Sequence, residues 1–192
     1  QQSSTRSAIL NETDTDPDPK ILFDGMSRMI QSMLHRLYPM GEIPDYEPDP
    51  TNSFVSIAET KNTTPEAVLY DYMLENDGYA MGMMPIFNYV DGNHDVIREM
   101  LLHPQAVSGL SDGGAHCGMI CDASIPTFML SHWTRDRTRG KKLPLEWIIK
   151  KQTNDTASLY GLNDRGTLHA EKRADINVCL LYTSDAADES TC

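Results

Sequence analysis

Residues 109 to 116 read Gly-Leu-Ser-Asp-Gly-Gly-Ala-His, and here the chain concentrates groups able to do chemistry. The apolar run Ala106 to Leu110 reads as a buried strand ending at Ser111, with Asp112 immediately after it. Gly113 and Gly114 let the backbone turn sharply. In α/β proteins the reacting polar groups sit at the C-terminal ends of strands. An aspartate there can take a proton from a metal-held water and pass it to a leaving amine. It can equally cap the following loop by bonding its own backbone. Spacing alone does not separate the two.

Other reactive residues are more scattered. His116, Cys117 and Cys121 form His-Cys-x-x-x-Cys, whereas a closed zinc site uses Cys-x-x-Cys pairs, and a second pair is absent. Cys121 therefore reads as a small buried apolar residue. His94 and His132 stand alone and read as surface or packing histidines. Trp133 to Lys142, Trp-Thr-Arg-Asp-Arg-Thr-Arg-Gly-Lys-Lys, is the basic cluster. It could bind a substrate carboxylate; the simpler reading is a solvated loop that Asp136 partly neutralises. Asp-Thr-Asp-Pro-Asp-Pro at 14–19 alternates acids like a calcium loop but lacks the required Gly and closing Glu, so a Pro-stiffened linker is expected. The methionine-rich stretches (Met26, Met29, Met33 and Met81, Met83, Met84) read as core filling.

The elements that must position these groups follow from periodicity and caps. Ile21 to Tyr38 reads as a helix burying Leu22, Met26, Met29, Ile30, Met33, Leu34 and Leu37. The Pro-rich stretch 42–51 is a loop, and Ser53 to Thr60 a short helix. Thr64-Pro65-Glu66 is a helix start: a capping hydroxyl, Pro at the first helical position, and an acid near the positive end. That helix should run to about Glu75 with Val68, Leu69 and Tyr72 inward, and Asn76-Asp77-Gly78 stop it. Tyr79 to Phe87 reads as a buried strand limited by Pro85. His94 to Leu102, Pro126 to Thr134 and Pro144 to Tyr160 read as helices, with Gly161 at the last C-terminus. Ala174 to Val178 reads as a short strand. Apolar strands separated by helices argue for an α/β fold with a parallel sheet.

Composition bounds the function. The 192 residues leave room for one domain or a domain plus an appendage. Acidic residues outnumber basic ones, 28 to 16, for a net charge of −12, so a phosphate backbone is repelled and nucleic-acid binding is not expected. The excess is in the first half: residues 1–100 carry seventeen acids against six bases. No apolar run is long enough to span a membrane. Four cysteines are too few for a secreted disulfide scaffold, and a reducing, cytoplasmic compartment is expected.

With these residues in place, the chain resembles the amidohydrolase superfamily, and within it the N-acyl-D-amino-acid deacylase (D-aminoacylase) branch. The likeness rests on Pro-Asp-Tyr-Glu-Pro at 44–48, Ile-Phe-Asn-Tyr-Val-Asp-Gly-Asn at 86–93 and the word at 109–124. His-Trp-Thr-Arg-Asp-Arg-Thr-Arg-Gly at 132–140, Leu-Pro-Leu-Glu-Trp-Ile-Ile-Lys-Lys-Gln-Thr at 143–153, and Arg-Gly-Thr-Leu…Arg-Ala-Asp-Ile-Asn-Val at 165–178 complete it. The resemblance implies an α/β fold, the last part of a metal-dependent (β/α)8 barrel beside a small β-domain. Residues 79–87 and 106–111 would be its seventh and eighth strands. Asp112 would match the aspartate close to the metal that acts as general base and then acid. Ser111, Gly113 and Gly114 beside it are the candidate substrate-binding residues. The implied cofactor is zinc, and the implied partner a small-molecule N-acyl amino acid.

The sequence departs from the family's pattern in three places. The family's metal ligands, a His-x-His pair, a bridging Cys or modified Lys and two further histidines, come from earlier strands, and no His-x-His occurs here. Where the family has Ala-Pro-Gly, this chain has His169-Ala170-Glu171. Residues 179–192 resemble a translated sequencing adapter and are expected to be foreign. The expected organisation is a linker or partial helix at 1–19, a C-terminal barrel segment with a lid-like insertion at 20–164, a return to the β-domain at 165–178, and that tail. A C-terminal fragment of this kind would be poorly soluble and inactive by itself, its strand edges and apolar faces uncovered. Two other readings stay open: a cyclic-amide hydrolase of the same superfamily, and a non-catalytic α/β module in which Asp112 only caps a loop.

Overall fold

The computed structural model describes residues 3–13, 18, 20, 24–109, 111, 113–114 and 122–181. Two compact units divide the chain, Gln1–Asn93 and His94–Cys192.

In the first unit, helix α1 (Ser3–Leu10) carries Arg6, whose guanidinium donates to both Asp71 carboxylate oxygens at 2.8 Å. Helix α2 (Met26–Ser32) leads into a 3-10 turn (Leu34–Arg36) and strand β1 (Tyr38–Pro39). Helix α3 (Phe54–Lys61) begins where the Ser53 side chain accepts from the Ser56 amide, and it ends at Asn62 in the left-handed region, φ 52°. Helix α4 (Pro65–Met73) begins as expected: the Thr64 hydroxyl accepts from the Ala67 amide, and Pro65 occupies the position that needs no donor. Strand β2 (Gly82–Met83) pairs antiparallel with β1, Tyr38 opposite Met83. Leu34, Leu37, Phe54, Ala58 and Val68 form the core, with Leu69 and Tyr72 packed against it.

The second unit is helical. Helix α5 (Asp95–Leu102) is followed by α6 (Ile125–Ser131), which runs into a π-helical turn at His132–Asp136. Helix α7 (Leu145–Lys150) continues through a second π-turn, Lys151–Asp155, into α8 (Thr156–Leu159). Gly161 follows with φ 69°, the left-handed helix stop expected there. Met129, Trp133, Leu143 and Ile148 are the core, flanked by Ile97, Leu101 and Leu102 of α5. No helix among the described residues is long and apolar enough to cross a membrane.

Several expectations need correction. The strand expected at 79–87 shrinks to Gly82–Met83, and its ladder is antiparallel. Pro85 has no donor to extend it. Residues 106–109 form no ladder. The Ala106 carbonyl has another partner, accepting from Lys151 Nζ. Residues 174–178 likewise form no strand. Of the helix expected over 21–38, residues 21–23 lie outside the described residues and Asp24 and Gly25 form a turn before α2, in which Met26 and Met29 are 38% and 45% exposed rather than core. Met81 is also exposed.

Candidate functional site

The second unit draws together two histidines that the sequence leaves unrelated. His94 is the N-cap residue of α5, and His132 opens the π-turn after α6. The two elements share one core, so their ends meet. The rings lie 5.7 Å apart between centroids, nearly perpendicular. Each offers a ring nitrogen within 4.8 Å of the other's. His94 Nδ1 and His132 Nε2 are both sealed from solvent.

Aromatic neighbours hold the imidazoles in place. Phe128, one turn back on α6, stacks on His132 at 4.8 Å with the planes 9° apart. Trp133, 2% exposed, meets His132 edge to face at 5.2 Å and lies 6.0 Å from His94. Rings packed on two sides keep few rotamers, so the pair is preorganised.

The Trp133–Lys142 cluster is not the freely solvated loop that its composition suggests. Arg137 is 2% exposed. Its guanidinium donates to Asp95 Oδ1 at 2.7 Å and to the Lys141 carbonyl at 2.8 Å, and it lies over the Trp133 ring at 5.1 Å. Gly140 leaves room beside it, and a Cβ there would displace the guanidinium from this position. Arg137 thus ties α5, whose N-cap is His94, to the turn that carries His132. Arg135 pairs with the neighbouring Asp136. That hydrogen bond holds the Asp136 carboxyl below its ordinary value of 3.8; burial opposes it less strongly, and the Arg135 charge acts with the hydrogen bond.

The expected reactive segment is only partly described. Asp112 lies outside the described residues, as do His116, Cys117 and Cys121. Ser111 and Gly113 are exposed. Among the described residues, a Cβ on Gly113 would meet nothing within 4 Å. Gly114 has φ 67°, which fits the sharp turn expected there.

The donor set suits a borderline-soft divalent cation. Two imidazole nitrogens bound tetrahedrally to zinc at about 2.1 Å stand about 3.4 Å apart. Sequence reading missed this pair because the two histidines are distant in the chain. The available signal was position: one precedes a helix start, and the other opens the His-Trp-Thr-Arg-Asp-Arg word.

Comparison with protein-family models matches residues 75–188 to the amidohydrolase family, more than half of the chain. The matched residues include the 109–116 word and both histidines. Comparisons with curated proteins and with solved structures give no match.

Proposed function

The chain belongs to the amidohydrolase family, and on that premise we propose that the complete protein is a metal-dependent hydrolase cleaving the linear amide of N-acyl-D-amino acids, with Asp112 as its proton-transfer aspartate. Hydrolase chemistry on a small molecule follows from the family. The deacylase reading is supported by the words at 44–48 and 132–140. The observation that carries the role of Asp112 is that Gly-Leu-Ser-Asp-Gly-Gly-Ala-His lies inside the matched residues. We take the complete enzyme's frame to be the (β/α)8 barrel that the likeness implies, and its compartment to be the reducing cytoplasm.

His94 and His132 would hold a divalent cation, zinc being the natural choice for imidazole donors. A bound cation supplies polarisation of the scissile carbonyl. The chain's own residues do the rest. The Asp112 carboxylate accepts a proton from the attacking water. It returns that proton to the amide nitrogen as the C–N bond breaks, so the leaving group departs as an amine rather than an amide anion. The missing side chain at Gly113 and the left-handed turn at Gly114 let substrate approach the backbone closely. Ser111, exposed beside them, offers a hydroxyl to the substrate.

A panel of linear N-acetyl-D- and N-acetyl-L-amino acids and cyclic amides, with and without prior chelation, tests the reading. The account expects the linear D-substrates to turn over fastest, with activity lost on chelation and restored by zinc. Preference for the cyclic amides, or turnover indifferent to chelation, would contradict it.

A further inference from the structure

Helix α5 carries His94 at its start, yet none of its eight residues is fully buried. Ile97, Leu101 and Leu102 pack against the core of the second unit, while Val96 and Met100 stay 42% and 44% exposed. Apolar contact is non-directional, so it holds such a helix against a core without fixing where it stands along its axis. Hydrogen bonds fix that.

Polar ties run along the whole of α5. At its start, Arg137 donates to Asp95 Oδ1 at 2.7 Å. Midway, Arg98 Nε donates to the Lys142 carbonyl at 3.4 Å. At the far end the last carbonyls of a helix have no intrahelical donor. There Trp147 Nε1 donates to the Leu101 carbonyl at 3.3 Å, and Lys151 Nζ to the carbonyl of the C-cap residue, His103, at 3.1 Å. Lys151 Nζ donates as well to the Ala106 carbonyl and lies 5.0 Å from the Trp147 ring centre. Lys151 is 2% exposed. Burying an ammonium is expensive, and an apolar side chain of similar size would fill the same volume. A cation at this point meets the negative end of the helix and bonds its last carbonyls.

We propose that Trp147 and Lys151 are positioning residues for the metal centre: they set the axial position of α5 and, through it, of His94. The inference rests on the metal role proposed for His94 and His132. An α-helix of eight residues is about 12 Å long and moves as a rod. A slip of one residue carries His94 about 1.5 Å, whereas a zinc–nitrogen bond tolerates about 0.2 Å. Arg137 anchors the near end. With that anchor alone the rod can still pivot; the ties from Trp147 and Lys151 at the far end prevent it.

The test uses the complete protein, its zinc removed by chelation and returned by titration against a chromophoric chelator. Lys151→Met removes the ammonium and keeps the volume. Trp147→Phe keeps a ring, removes the donor to Leu101, and decides the matter if Lys151→Met does not fold. Zinc affinity should fall about tenfold in each. Losing a positive charge by itself favours a bound cation, so a fall has the sign of displacement rather than of charge. The cobalt(II)-loaded variants should differ from wild type in visible absorption, which reports ligand geometry. Lys150→Met removes a neighbouring ammonium that pairs with Asp155 at 2.8 Å, and it should leave both readouts unchanged. In a His94→Ala background the folded variant should change zinc affinity by less than about twofold, because the ligand it places is gone. Wild-type affinity in the folded variants, or an equal loss with and without His94, would overturn the positioning role. His94→Ala keeps the two ideas apart. If it retains wild-type affinity, the metal reading itself fails; if it loses affinity while Lys151→Met and Trp147→Phe do not, only the positioning role fails.

Discussion

Two imidazoles held face and edge by aromatic rings have little freedom to lose when a cation binds. His132 is stacked by Phe128 and flanked by Trp133, and His94 is fixed at the start of α5. The buried Arg137 fastens the two elements through Asp95. In the proposed metal site the pair would contribute two imidazole donors. Zinc affinity, measured by competition with a chromophoric chelator, should fall at least about tenfold in His94→Ala and in His132→Ala. Equal affinity in both variants would remove the pair from the metal centre. Arg137→Lys should not be conservative here, since only the planar fork serves Asp95, the Lys141 carbonyl and the Trp133 face at once.

Among the elements, those that begin with a chemical signal form where the sequence puts them. Thr64-Pro65 and Ser53 cap α4 and α3 because a hydroxyl satisfies an amide donor that the first turn leaves open, and this needs no distant partner. Ser53→Ala and Thr64→Ala should each cost about 1 kcal/mol in urea unfolding. A change below a few tenths in both would mean that the caps are incidental. The strands were far less legible. An apolar run becomes a strand only if a neighbour supplies its ladder, and at Ala106 the donor is the Lys151 side chain instead. The π-turns left no mark in the hydrophobic pattern, because one extra residue in a ring barely changes which positions are apolar. The site was legible to the same uneven degree. The Gly109–His116 word announces its chemistry by composition, whereas His94 and His132 become a pair only through the folded core that α5 shares with α6 and its π-turn.

At the scale of the whole molecule, each unit has its own buried core, around Phe54 in the first and around Trp133 and Ile148 in the second. The family match begins near the end of the first unit and runs through most of the second, so the hydrolase assignment is carried mainly by the unit with the histidine pair and the Ser111–Gly114 segment. The central claim is that Asp112 moves the proton in amide hydrolysis while the metal is held by other groups. The most direct test compares the complete protein with its Asp112→Asn variant, measuring turnover of an N-acetyl-D-amino acid and zinc content on the same samples. The account predicts almost complete loss of turnover with zinc largely retained. Activity within about tenfold of wild type, equivalent to about 1.4 kcal/mol in the barrier, would contradict it.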